Sequence, residues 1–430
     1  MILDSGIQGI IDQSQSELPR NQNDLHAAAP SRMNEEAFVT RLAELLHRYG
    51  TPSHELEEIL QTCADALDLN ASFFSTPTAI FISFPESTEN RTVLRRVSPG
   101  EIDLEKLVAV DRIVSRFLAE DISIREATDK LEMLDSKRSA FPNWLYVVSF
   151  AIASGSVVSF FQGGIKEILA TSLIGLLVGS LELVARWNPD FGRAYCAIAS
   201  VTASFLAVAA SACVPGLSSG IVTLGSLIVL VPGLTITMAV SELARQQLAS
   251  GTSRFMGAIL QFLILGFGVA LGRNVGIQLF GPVAVQPTSA DLVTFWVCLL
   301  IAPFSFAVLF RTRKKDVFLV FVTCLVGFGC GRFGAFLLGS QLGPALGSFS
   351  VAVFSNLMSR LLKQPAALTM VPGLMFLVPG SIGFLSFQAL VEQETVAGIQ
   401  SAFDVLFVAS ALVSGLLMAN VFVRPRLWAK

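Results

Sequence analysis

Ten long apolar segments follow one another after residue 140 of this 430-residue chain, of which 53% is hydrophobic. A transmembrane helix needs about 20 consecutive, mainly apolar residues to cross a bilayer. The pattern therefore predicts a polytopic α-helical membrane protein with ten transmembrane helices embedded in the lipid bilayer. The predicted spans are 143–162, 165–185, 193–214, 217–243, 254–273, 291–310, 316–338, 342–362, 366–390 and 402–423.

Charged side chains and histidines are concentrated in front of these segments. Only 15% of the residues are charged, and the net charge of -3 gives no sign of nucleic-acid binding. The six cysteines include no CxxC pair, and the three histidines (His26, His47 and His54) all precede the first span. We therefore predict no metal site and no cofactor. Residues 1–33 are polar and are predicted to form a disordered tail.

Residues 34–138 have a mixed pattern that predicts a small α/β domain. One helical apolar pattern ends at Gly50, and a second begins at Thr51–Pro52. No nucleophile, metal or phosphate motif accompanies these elements, so the chain is not expected to be an enzyme, and His47 and His54 are expected to be solvated. The predicted elements are helices over 34–49, 51–67, 101–120 and 123–134 and strands over 72–84 and 91–97.

The distribution of basic residues predicts the orientation in the membrane, because loops on the cytoplasmic side carry an excess of Lys and Arg. With the α/β domain and both termini in the cytoplasm, fifteen basic residues flank the membrane inside and three flank it outside. This predicts a multi-pass protein of the cell membrane. The inner residues are Lys137, Arg138, Arg186, Arg193, Arg245, Arg254, Arg311, Arg313, Lys314, Lys315, Arg360, Lys363, Arg424, Arg426 and Lys430, and the outer ones are Lys166, Arg273 and Arg332.

Two segments suggest an internal repeat. One starts at Leu230 and the other at Leu377; each begins with LVPG and runs through a polar stretch into a final span. The predicted halves, 139–275 and 288–430, hold five spans each, and an odd number of spans gives tandem repeats opposite orientations. An inverted repeat is therefore predicted, with chance similarity as the alternative. Homo-oligomerisation is left open.

Pro-Gly pairs in the fourth and ninth spans predict a substrate site. Proline removes a backbone donor, glycine weakens the helix, and the freed backbone groups must find partners. A half-helix that begins after such a break directs its N–H groups toward a substrate carboxylate. The alternative is that the breaks only bend the helices for packing. The predicted substrate-binding residues are Pro232, Gly233, Thr235, Thr237, Glu242, Pro372, Gly373, Pro379, Gly380 and Ser381.

Few acids fall within the predicted membrane region. Glu182, Glu242 and Asp404 are candidates for proton coupling, because ionisable groups inside a membrane are commonly functional. Glu182 precedes Arg186 by four residues, an order that favours a helical ion pair. Glu167 lies near a span end and is expected to be solvated.

Three segments resemble the threonine/serine exporter family: GSLIVLVPGLTITMAVSELA from Gly225, RLLKQPAALTMVPGLMFLVPGSIGF from Arg360 and TPTAIFISF from Thr76. The resemblance covers roughly residues 35 to 428. It implies a cytoplasmic α/β domain, about ten spans in two halves, and export of small polar amino acids such as threonine and serine, with proton antiport as one coupling scheme. Export of a dicarboxylate is the first alternative. A membrane-embedded sensor or enzyme acting through the α/β domain is the second.

Overall fold

The computed structural model describes residues 22–85, 90–98, 100–136, 139–282, 291–377, 380, 382–384, 386 and 395–426. Residues 22–136, here called the amino-terminal unit, contain four helices and three strands. The remaining described residues are almost entirely helical and are called the helical region. The elements of the amino-terminal unit are α1 (Gln22–Arg48), α2 (Ser53–Ala66), β1 (Ser72–Thr76), β2 (Ala79–Pro85), β3 (Asn90–Arg96), α3 (Leu104–Leu118) and α4 (Ile124–Ser136).

The strands form one antiparallel sheet in the order β1-β2-β3. Along β2, Ile80, Ile82 and Phe84 are buried, while the residues between them are more exposed. This alternation places every second side chain against the helices. The helices contribute the other half of the same core, for example Leu42 of α1 and Leu60 of α2.

Helix α1 begins earlier than the sequence interpretation placed it. The predicted tail extends to residue 33, whereas the helix starts at Gln22. Ala27, Ala28 and Ala29 lie in the added part, and alanine has the highest helix propensity of all residues. Residues 1–21 of the predicted tail lie outside the described part of the chain.

Eight helices in the described residues are long and apolar enough to cross a membrane. They correspond to eight of the ten predicted spans. The elements of the helical region are α5 (Asn143–Phe160), α6 (Ile165–Trp187), α7 (Pro189–Cys213), α8 (Ser219–Leu227), α9 (Gly233–Ala244), α10 (Leu248–Phe280), α11 (Leu292–Leu309), a 3₁₀ turn (Lys314–Asp316), α12 (Val317–Leu338), α13 (Gly343–Leu362), α14 (Ala367–Leu374) and α15 (Thr395–Phe422).

The predicted fourth and ninth spans are not continuous helices. Two short helices, α8 and α9, replace the fourth span. Helix α14 occupies the start of the ninth, and much of the rest of that segment lies outside the described residues. Short helices of this kind leave backbone groups that need partners, so these segments require support from their neighbours.

The two sets of five segments have corresponding neighbours. Helix α7 packs on α10 as α13 packs on α15, and the short helices α8 and α14 pack on the second and third segments of their own sets. Small residues allow close approach at equivalent places. A Cβ built on Gly225 of α8 would lie 2.8 Å from Thr171 Cγ2, and one built on Gly373 of α14 would lie 2.7 Å from Thr323 Cγ2.

The amino-terminal unit docks on the second set of helices through backbone and charged contacts. The N–H of Leu104 donates to the carbonyl of Phe310 at 3.0 Å. The guanidinium of Arg311 pairs with Glu101 at 2.8 Å and with Asp103 at 3.3 Å. Leu368 of α14 is buried in the core of the amino-terminal unit. The two parts of the chain therefore share one continuous core at this contact.

Candidate functional site

The two interrupted segments meet. A Cβ built on Gly380 would lie 3.0 Å from Val231 Cγ1 and 3.4 Å from the Cα of Gly233. Gly233 and Gly380, which are 147 positions apart in the sequence, are therefore neighbours. A Cβ on Gly380 would crowd the Val231 side chain and would be in ordinary contact with the backbone of Gly233.

The first interruption has the form predicted for it. Helix α9 begins at Gly233 directly after Pro232, and the N–H of Gly233 donates to the carbonyl of Val231 at 2.8 Å. The side-chain amide of Gln261 on α10 donates to the carbonyl of Leu230 at 2.7 Å. A side chain of the protein therefore satisfies one of the carbonyl groups that the break frees.

In the ninth span the described turn lies between the two predicted Pro-Gly breaks. Pro372 and Gly373 fall inside helix α14 and do not break it; the turn follows at residues 375–377. Proline fits a helical φ and disrupts mainly the turn before it, and α14 has only five residues before Pro372. The thiol of Cys324 lies 3.4 Å from the Pro372 carbonyl. Pro379 and Ser381 lie outside the described residues.

A cavity of about 170 Å³ lies between the amino-terminal unit and both sets of helices. Helix α9 contributes Thr237 to its wall, α14 contributes Met370, and α15 contributes Leu416. The amino-terminal unit closes it with residues 49–62. Of the predicted substrate-binding residues, Thr237 lines this cavity. Pro232, Gly233, Thr235, Glu242, Pro372, Gly373 and Gly380 are absent from its wall.

The charged residues of the wall come from both parts of the chain. Glu55 and Glu58 belong to α2, and Arg245 follows the last residue of α9. About 44% of the Glu55 side-chain surface is accessible. Loss of hydration raises the pKa of Glu55; the guanidinium of Arg245 lowers it, and Glu58 raises it further.

His54 contributes an uncharged imidazole to the same wall. Burial lowers its pKa to about 3, and the positive charge of Arg245 adds to this effect. The ring is therefore neutral at pH 7. The sequence interpretation of His54 and His47 as solvated residues is wrong: the His54 side chain is 13% exposed, and His47 is buried with Nε2 3.1 Å from the Thr76 carbonyl.

Glu242 is completely buried at the contact between the amino-terminal unit and the first set of helices. Its carboxylate accepts two hydrogen bonds from Arg254 at 3.1 Å, one from the Ser250 hydroxyl at 2.9 Å and one from the N–H of Ser53 at 3.1 Å. Ser53 is the first residue of α2, so this carboxylate also caps the positive end of that helix.

The other two acidic candidates are also engaged. Glu182 pairs with Arg186 at 3.3 Å, which confirms the predicted ion pair, and Arg186 pairs in addition with Glu101 at 3.1 Å. Asp404 accepts a hydrogen bond from the side-chain amide of Gln341 at 2.7 Å. The proton-coupling role of these acids stays a prediction.

Glu167 is buried rather than solvated. Its carboxylate accepts the N–H of Gly164 at 3.0 Å and that of Ser218 at 3.1 Å. Ser218 caps α8, so Glu167 connects the α5–α6 turn to the start of a short helix. The position of Glu167 near the end of a span did not predict these hydrogen bonds. Their donors are backbone N–H groups, which leave no pattern in the side-chain sequence.

Two family models cover most of the chain. One, described as "Putative threonine/serine exporter", matches residues 37–276, and the other, "Threonine/Serine exporter", matches residues 296–422. The chain belongs to the threonine/serine exporter family. This confirms the resemblance seen in the sequence, and it identifies a membrane protein of a transporter type in a form that joins both family segments in one chain.

Curated relatives of this exporter-family chain come from yeasts. Pheromone-regulated membrane protein 10 of Saccharomyces cerevisiae is 27% identical over 377 residues, covering 85% of this chain and 48% of the relative. An uncharacterized protein of Schizosaccharomyces pombe is 27% identical over 384 residues, with coverage of 83% and 44%. The chain thus spans less than half the length of these relatives. No solved structure matches it.

Proposed function

We propose that this protein exports small polar amino acids, threonine and serine first, across the cell membrane. The observation that carries the proposal is the cavity enclosed by α9, α14 and the amino-terminal unit. In transporters built from two repeats, the substrate site lies where interrupted helices of the two halves meet. The cavity adjoins that meeting point and has wall residues from both sets of helices.

A wide basic groove next to the cavity supports entry of substrates that carry a carboxylate. The groove has a volume of about 1110 Å³ and shares Glu58 and Arg245 with the cavity wall. Positive side chains raise the local concentration of anionic groups. Eight basic residues line the groove against three acidic ones. The basic residues are Arg112, Arg116, Arg245, Lys315, Arg360, Lys363, Arg424 and Arg426.

The charges inside the cavity favour an amino acid over a dicarboxylate. Glu55 and Glu58 would repel a second carboxylate, while Arg245 complements a first one; the other arginine of the wall, Arg426, already pairs with Asp111 at 3.4 Å. Dicarboxylate export remains the second candidate, because the groove itself is basic. Everted membrane vesicles given labelled threonine or succinate separate the two: accumulation of succinate alone would reject the amino-acid proposal.

The proposed mechanism is alternating access in an inverted repeat of ten spans. The corresponding packing of the two sets of helices and the matched contacts of Gly225 and Gly373 support the repeat. The amino-terminal unit and both termini are placed in the cytoplasm, in agreement with the predicted charge bias. In this arrangement the cavity opens toward the cytoplasm. Proton antiport is proposed as the coupling scheme.

A bulky residue in the cavity is expected to stop export. Ser241 lines the cavity and is half-buried, so Ser241→Trp fills space that the substrate needs. Efflux of threonine from cells loaded with a threonine-containing dipeptide should fall to the level of cells without the gene. The matched control is Ser253→Trp at an exposed position of α10, which should retain efflux. Normal efflux with Ser241→Trp would reject the cavity as the transport site.

The orientation can be tested with a native cysteine. Cys213 is exposed at the last residue of α7, which the proposed topology places outside the cell. A membrane-impermeant thiol reagent applied to intact cells is expected to label it, and Cys213→Ser should remove that label. Labelling of Cys213 only in everted vesicles would reverse the proposed orientation.

A further inference from the structure

The cavity wall contains an acid and a base that come from the two parts of the chain: Glu55 belongs to α2, and Arg245 follows α9. Within the described residues, Arg245 forms no ion pair, and the nearest titratable partner of Glu55 is His54, with Nε2 3.9 Å from Oε1. Opposite charges on separate elements of one wall match the two ends of a zwitterion. A ligand that carries both an ammonium group and a carboxylate would complete both interactions.

Three residues of the same wall each carry a buried polar atom that has no hydrogen-bond partner among the described residues. These atoms are the hydroxyls of Tyr49 and Thr51 and Nδ1 of His54. All three lie within one turn of chain at the end of α1 and the start of α2. Buried polar atoms are normally hydrogen-bonded, so such a cluster calls for a ligand or water that supplies partners. In contrast, the Thr237 hydroxyl across the cavity already bonds the Gly233 carbonyl at 3.1 Å.

The volume limits the ligand to a small metabolite. Pockets for drug-sized molecules measure about 300–1,000 Å³, whereas this cavity measures about 170 Å³. Because each water in the liquid occupies about 30 Å³, the space holds roughly five or six water-sized groups and suits a small ligand. A hydroxylated α-amino acid has this size and carries both charges and a hydroxyl.

We propose that the amino-terminal unit forms half of the substrate site, in which Glu55 binds the α-ammonium group, Arg245 binds the carboxylate and His54 hydrogen-bonds the side-chain hydroxyl. This inference rests on the proposed export function and assigns the residues that recognise the substrate. The neutral imidazole of His54 has one donor and one acceptor nitrogen. It is therefore able to donate a hydrogen bond to a hydroxyl or to accept one from it. Docking of the amino-terminal unit thereby assembles the site as well as closing it.

Binding to the purified, detergent-solubilised full chain tests the assignment. The probes are L-threonine, 2,3-dihydroxybutyrate, which lacks the ammonium group, and threoninol, which lacks the carboxylate. Glu55→Gln is expected to weaken threonine binding about tenfold to a hundredfold and to leave 2,3-dihydroxybutyrate binding unchanged, because only threonine uses the lost charge. Arg245→Gln should weaken threonine binding to a similar extent and leave threoninol binding unchanged.

Two control variants and the wild type distinguish failure of the residue assignment from failure of the export function. Glu126→Gln, in an exposed ion pair with Lys130, and Arg193→Gln, in an exposed pair with Asp190, should bind like the wild type. The midpoint of thermal unfolding without ligand checks that each variant is folded. If the wild type transports threonine and both Glu55→Gln and Arg245→Gln bind it with unchanged affinity, the assignment is overturned while the export function stands. If the wild type neither binds nor transports threonine, the export function itself is overturned.

Discussion

Replacing Glu242 by glutamine is expected to destabilise the protein by about 3 kcal/mol and to release the amino-terminal unit. The change keeps an acceptor for the Ser53 N–H and removes the charge that balances Arg254, whose side chain is only 18% exposed. Breaking a buried ion pair on one side costs about 3–5 kcal/mol, and the partial exposure of Arg254 places this case at the lower end. The measurement is the midpoint of thermal unfolding in detergent, together with the rate at which a protease cleaves the amino-terminal unit.

Two further variants identify the cause. Removing both charges with Glu242→Gln and Arg254→Gln should recover part of the lost stability, since no unbalanced charge is then buried. Glu126→Gln makes the same chemical change at an exposed position and should leave the unfolding midpoint unaltered. If Glu242→Gln unfolds like the wild type but changes the pH dependence of efflux, Glu242 is a proton-coupling group and not an anchor for the amino-terminal unit.

Replacing Gly272 by alanine is expected to reduce stability by about 1–3 kcal/mol or more, because the new methyl group has no space. Its Cβ would collide with the hydroxyl of Ser204 and with the backbone carbonyl of Val201 on α7. The hydroxyl is able to move, but the carbonyl belongs to a helix and yields only if α7 and α10 separate. The yield of monodisperse protein and its midpoint of thermal unfolding report this separation.

Gly257 on the same helix provides the control. A Cβ on Gly257 meets nothing within 4 Å, so Gly257→Ala should be neutral or should stabilise the helix by up to about 1 kcal/mol. In the second set of helices Gly415 lies against Ser348 and the Ala345 carbonyl, so Gly415→Ala should behave like Gly272→Ala. Equal stability of the Gly272 and Gly257 variants would show that α7 and α10 do not approach so closely.

Local patterns in the sequence were sufficient to predict most elements. The apolar runs gave eight helices of spanning length, and the break at Pro232–Gly233 divides the fourth span as expected. These features depend on residues near one another in the chain: hydrophobic length, helix propensity and the missing N–H of proline. The Glu182–Arg186 pair was predictable for the same reason, since residues four apart share a helix face.

The break in the ninth span shows where local reasoning was insufficient. Two Pro-Gly pairs occur there, and both were predicted to interrupt the span. The structure continues α14 through Pro372, and the turn follows at 375–377. Gly373 packs closely against Thr323 of α12 and Val351 of α13, contacts that no local pattern in the sequence predicts.

The sequence by itself determined that the chain is a helical membrane protein with interrupted segments and a folded unit in front, because apolar length and periodicity act within a few turns of chain. The tertiary structure alone decided which polar residues share a cavity. His54 and Glu55 lie almost two hundred residues before Arg245 and share no motif with it, so only docking of the amino-terminal unit brings the three together. It also brought together the partners of Glu242, because Ser53 and Arg254 come from different parts of the fold.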